Sequence, residues 1–109
     1  MNSGSTRPGI VLVTAASEAE AKSIATTLIS ANLAACVSVM PIQSLYAWKG
    51  QIHDEAEWQL IIKTDLNQFV ELETQVKSMH SYEVPEIIAL PIVHGSQLYL
   101  QWMTKQLSG

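Results

Sequence analysis

Ile10-Val11-Leu12-Val13 is an unbroken apolar run, the pattern of a strand covered on both faces or lying centrally in a sheet. It gives way at Thr14-Ala15-Ala16. Ser17-Glu18-Ala19-Glu20 then has the S-x-x-E form of a capping box, in which hydroxyl and carboxylate satisfy orphan amides at a helix start. Ala21, Ile24, Ala25, Leu28 and Ile29 recur at i, i+3, i+4, i+7 and i+8, one apolar stripe of a helix for which Asn32 is a terminator. From Ala35 to Trp48 the pattern turns to strand, with Cys36, Val37, Val39, Ile42, Leu45, Tyr46 and Trp48. Lys49-Gly50-Gln51 signals a turn, and Ile52 to Thr64 is a second extended run ending in Leu60-Ile61-Ile62.

That hairpin is long for its domain. Extended, Ala35 to Trp48 spans roughly 46 Å at about 3.3 Å per residue, against a diameter of roughly 34 Å for a compact domain of this length. It must overhang or bend, and Pro41, which cannot donate a ladder hydrogen bond, predicts a bend or bulge. Tyr46, Trp48, Ile52 and Trp58 near its tip predict burial against other subunits.

Thr64-Asp65 is placed to cap a second helix, whose inner face runs through Phe69, Leu72, Val76 and Met79 or His80. Pro85 pushes Val84 to extended geometry, so His80 to Pro85 reads as a loop. Glu86 to Val93 predicts a further strand with Pro91 at an edge or strand end, His94-Gly95 a turn, and Ser96 the cap of a closing helix carrying Leu98, Tyr99, Trp102 and Met103. The order β-α-β-β-α-β plus a terminal helix is the α+β, ferredoxin-like pattern, a four-stranded antiparallel sheet with two helices on one face. The uncovered face asks for a partner, a second pointer to assembly. Residues 1–8 are expected to be a flexible tail without the apolar segment of a secretory signal, and 9–109 a single domain.

Composition narrows the function classes. Of 109 residues, 48% are hydrophobic and 15% charged, which supports a packed core. A formal net charge of −4 with only six Lys and Arg leaves no basic stripe for nucleic acid. The longest apolar run, Ile87 to Val93, is far short of a membrane helix. A single cysteine, Cys36, fits a reducing compartment, and a cytoplasmic location is expected.

Catalytic motifs for phosphate, dinucleotide, acyl-transfer or zinc-protease chemistry are missing, so the chain is not expected to be an enzyme. Cys36 reads as a small buried hydrophobe and Met79 as core filling. His80, at the end of the second helix with Glu83 and Glu86 nearby, is placed either to ligate a transition metal or to cap the last helix carbonyls. His53 reads as hairpin surface and His94 as a turn residue. Glu55 and Glu57 share one strand face; Glu55 reads as solvated, and Glu57 with Lys63 as members of an intersubunit salt bridge or polar cleft.

Several separated motifs in one order resemble the CutA divalent-cation tolerance family, from about Ile10 to Leu107: Thr14-Ala15, Leu33-Ala34-Ala35-Cys36, Tyr46-x-Trp48-x-Gly50, Lys63-Thr64, Tyr82-x-x-Pro85-Glu86 and Trp102. The resemblance implies a homotrimer of ferredoxin-like subunits with interlocking hairpins, similar to PII-type signalling trimers, and a link to copper or another divalent cation. It implies an intersubunit cleft of Tyr46, Trp48, Glu57, Lys63, Tyr82 and Glu86. The copper ligands ascribed to some members, a first-strand Cys and a His-His pair, fall here on Val13, Met79 and His80, so only His80 is retained as a metal ligand. Two functions follow as expectations: a metal-responsive trimer using His80 and pooled carboxylates, or a PII-like trimer that binds a small molecule or partner without metal chemistry.

Overall fold

The computed structural model describes residues 5–108. The strands are β1 (Pro8–Ala15), β2 (Cys36–Trp48), β3 (Gln51–Asp65) and β4 (Ile87–Pro91); the helices are α1 (Glu18–Ser30), α2 (Phe69–Met79) and α3 (Gln97–Leu107). The sheet order is β2-β3-β1-β4, antiparallel throughout, the α+β arrangement expected from the sequence. Alternation along β1 and β3 sends Val11, Val13, Leu60 and Ile62 to one face. There they form a core with Ala21, Ile24 and Leu28 of α1 and Leu72 and Val76 of α2. Ile10, Leu12, Ile61, Ile88 and Leu90 lie on the opposite face by register, and Ile88 and Leu90 are exposed.

α1 starts where the sequence places it, with the Ser17 hydroxyl accepting from the Glu20 N–H at 3.1 Å. The second helix starts later than expected. Asp65 accepts from the Asn67 N–H at 2.9 Å and caps a single 3-10 turn, Leu66–Gln68, before α2 proper begins at Phe69. Of the expected tail, residues 1–4 lie outside the described residues. Ser5 to Arg7 are tied to the same turn: the Asn67 side-chain amide donates to the Ser5 carbonyl, Arg7 N–H to Asp65, and Leu66 N–H to the Arg7 carbonyl.

The hairpin overhangs; it does not bulge. The β2–β3 register runs unbroken from Cys36↔Lys63 through Pro41↔Trp58 to Trp48↔Gln51. β2 is an edge strand with a neighbour on one side only, so Pro41 fits with no bulge, because a missing N–H on the outer side breaks no ladder. β1 pairs with β3 only as far as Trp58, so everything beyond is a two-stranded ribbon. It gives the molecule extents of 51 × 26 × 21 Å. β4 is shorter than predicted and ends on Pro91, as that residue's lack of a donor dictates.

Candidate functional site

Where β1 ends, the ribbon and the loop that follows α2 enclose a cleft of about 660 Å³. The hairpin register sets one wall. The two-residue turn at Lys49-Gly50 pairs Tyr46 with His53 and Ser44 with Glu55 on one face. The Tyr46 ring stacks on His53 with centroids 5.4 Å apart, and its hydroxyl donates to Glu55 Oε1 at 2.7 Å. Glu57 lies two residues farther along the same face of β3 and accepts from the Tyr82 hydroxyl at 2.6 Å through Oε2. This bond joins the hairpin to the loop after α2. Hydrogen bonding to Glu55 raises the Tyr46 hydroxyl above its ordinary value of 10.0. Burial first, and then Glu57, raise that of Tyr82. Both phenols therefore stay protonated and donating at neutral pH.

The cleft expected from the resemblance lies between subunits; of its six residues, Tyr46, Trp48, Glu57, Tyr82 and Glu86 line the cleft that a single chain forms. Lys63 does not. It lies six residues beyond Glu57 on β3, roughly 20 Å along an extended strand. There it faces Cys36 across the ladder, with Nζ 3.5 Å from the Ser38 hydroxyl. Glu55, read from sequence as solvated, joins the lining, as does Thr14 at the end of β1. The two-residue turn was the available signal for Glu55, because fixing that turn fixes which residues oppose Tyr46 and Ser44.

His80 ends α2 with extended backbone, and its side chain is wholly buried. Nδ1 receives the Tyr82 N–H at 3.0 Å. A backbone amide only donates, so Nδ1 is the bare nitrogen and Nε2 carries the proton, which it donates to the Thr14 carbonyl at 2.7 Å. His80 thus fastens the loop to β1 and sets the position of Tyr82. Glu20 fastens the same loop from the other side, a role the local sequence did not reveal. Its carboxylate accepts from Ala16 N–H at 3.2 Å, Ser81 N–H at 2.7 Å and the Ser81 hydroxyl at 3.0 Å. Burial alone would raise the Glu20 carboxyl, but these hydrogen-bond donors outweigh it and hold the carboxyl below its ordinary value.

The residues at the copper positions implied by the resemblance do not fit copper. Val13 carries no donor and is fully buried on the helix side of β1. Met79 packs against the core. Both nitrogens of His80 are committed, so a metal at Nε2 would have to displace the Thr14 bond. Among the described residues, no three His, Cys, Asp or Glu side chains converge on a point that could hold a metal ion.

The family model for the CutA1 divalent ion tolerance protein matches residues 9–106. The divalent-cation tolerance protein CutA of Thermus thermophilus is 43% identical over 86% of this chain and 92% of its own length. That of Escherichia coli is 39% identical over 96% of this chain and 95% of its own. Among solved structures, CutA from Archaeoglobus fulgidus superposes with a TM-score of 0.88 at 39% identity, covering 92% of this chain and 98% of the other. CutA1 from Oryza sativa superposes with a TM-score of 0.88 at 43% identity, covering 93% and 94%. With an antiparallel sheet in the order β2-β3-β1-β4 and an overhanging hairpin, the chain belongs to the CutA1 divalent ion tolerance family.

Proposed function

We propose that this chain serves divalent-cation tolerance as the subunit of a homotrimer, with the cleft beneath the hairpin as its ligand-binding face. Within the family assignment, one observation carries the reading. The hairpin projects past the sheet, with Leu45, Tyr46, Trp48 and Ile52 all exposed. Exposed apolar surface on a ribbon with open edges is stabilised by burial against other copies. The relatives' names tie them to divalent cations. In this chain a copper site at His80 would break the fastening of the cleft loop, so copper is assigned elsewhere or not at all. The lone free cysteine, Cys36, supports a cytoplasmic location.

A second reading, a PII-like interaction trimer whose cleft takes a small molecule or a partner's tail, is favoured by the pre-built Tyr46–Glu55 and Tyr82–Glu57 pairs. Calorimetric titration with Cu(II), and then Cu(I) under reductant, separates the roles of His80. The protein and His80→Ala are expected to titrate alike. Tight stoichiometric binding that disappears in His80→Ala would contradict the reading.

A further inference from the structure

Among the described residues, one buried polar side-chain atom has no hydrogen-bond partner, Gln68 Oε1. Gln68 stands at the start of α2, yet its side chain makes no cap bond there. It lines a cavity of about 130 Å³ between α3 and the 3-10 turn, apart from the cleft. Thr64, in the same wall, lies on the helix side of the sheet with Leu60 and Ile62. That places the cavity roughly 40 Å along β3 from the hairpin tip, and on the face opposite the open one. The enclosed hydroxyls of the wall have already donated. That of Thr64 bonds the Leu33 carbonyl at 2.7 Å, that of Thr104 the Leu100 carbonyl at 3.1 Å, and that of Ser108 the Thr104 carbonyl at 2.8 Å. Asp65 Oδ1 already receives the Arg7 and Asn67 N–H groups at 3.0 and 2.9 Å. Pro8, Met103 and Leu107 supply apolar surface, and Met103 is buried.

Apolar surface with acceptor oxygens selects its occupant. An anion would meet the Asp65 carboxylate, with no Lys or Arg in the lining. A cation would give up its water for a carboxylate that two backbone donors already hold. A wholly apolar molecule would leave Gln68 Oε1 unpaired. A neutral donor meets every demand, because its N–H or O–H bonds the Gln68 oxygen while its body lies against Met103 and Leu107. The terminal torsion of a glutamine is soft, so the amide turns toward a guest at little cost. Volume sets the size: an apolar cavity of about 150 Å³ takes up benzene, so this one suits about five or six heavy atoms. We infer that the cavity is a binding site for a small neutral molecule with an apolar body and a single N–H or O–H donor.

Pyrrole and furan are the probes, five-membered rings of nearly equal size. Pyrrole carries an N–H donor where furan carries an acceptor oxygen. Each is titrated into the full-length protein while NMR follows the methionine methyl groups. Met103 reports the cavity, and Met40, on the opposite sheet face, is the control. Pyrrole is expected to shift the Met103 methyl saturably, with a millimolar dissociation constant, and to leave Met40 in place. Furan is expected to bind about 10-fold more weakly. In Gln68→Met, which keeps the length and removes the amide, the two rings are expected to bind alike. In Thr104→Leu, which fills the cavity from α3, neither is expected to bind. The inference is overturned if neither ring shifts Met103, since the cavity would then hold water only. Furan that binds as well as pyrrole overturns it too, as does a pyrrole preference that survives Gln68→Met or binding that survives Thr104→Leu. Should either variant fail to fold, the comparison of the two rings on the unaltered protein still decides.

Discussion

Thr64 is fully buried in β3, and its hydroxyl donates to the Leu33 carbonyl at 2.7 Å, tying that strand to the turn after α1. Thr64→Val keeps the shape and leaves a buried carbonyl without this donor, so a loss of about 1–3 kcal/mol is expected in urea unfolding at fixed protein concentration. An unchanged midpoint would show that the carbonyl is satisfied otherwise. Glu20 carries a pH signature. Its folded-state carboxyl lies below the ordinary value of 4.5, so its contribution is fully present above that pH and is lost as pH falls through the folded value. The stability gap between the protein and Glu20→Gln is therefore expected to be widest near neutrality and to narrow below about pH 4.5. A gap that is constant with pH would refute the carboxylate's role. The residue scale is also where the sequence was least legible. The S-x-x-E pattern revealed the Ser17 half of the cap, but nothing local told that the Glu20 carboxylate would reach Ser81, 61 residues on. For Lys63, the shared strand face with Glu57 was legible, whereas the distance along β3 that separates it from the cleft of its own chain was not drawn from the pattern.

At the scale of elements, the hairpin depends on its turn. Lys49 and Gly50 have φ of +51° and +76°, the left-handed pair of a type I′ connection whose twist matches that of the strands. A Cβ at Gly50 would touch nothing, so Gly50→Ala isolates the backbone strain and is expected to cost about 1 kcal/mol. Lys49→Asn, a residue that tolerates this region, is expected to stabilise slightly. Thermal unfolding of the two variants should move in opposite directions. Gly9 is held for another reason: a side chain there would run into Leu66 of the 3-10 turn. The elements themselves were legible because their patterns are long and periodic. The errors fell where tertiary context decided. Pro41 is compatible with an edge strand or a bulge and only the sheet order decides between them, and Asp65 caps alike whether a 3-10 turn or an α-helix follows. The overhang was legible from length alone, since a strand that outruns its domain has to project.

For the whole molecule, the open sheet face and the hairpin raise one demand. Met40, Ile88 and Leu90 are each more than two-fifths exposed on the face that α1 and α2 leave uncovered, and Ile52 near the hairpin tip is 79% exposed. A chain folded alone would leave this surface in water, whereas self-association buries it and couples folding to assembly. Apparent stability should therefore rise with protein concentration, a dependence absent from a monomer that folds independently. Sedimentation equilibrium of the full-length protein at micromolar concentration tests that account most directly. A single species at three times the 12.0 kDa chain mass is expected, and a monodisperse species at the chain mass would contradict it.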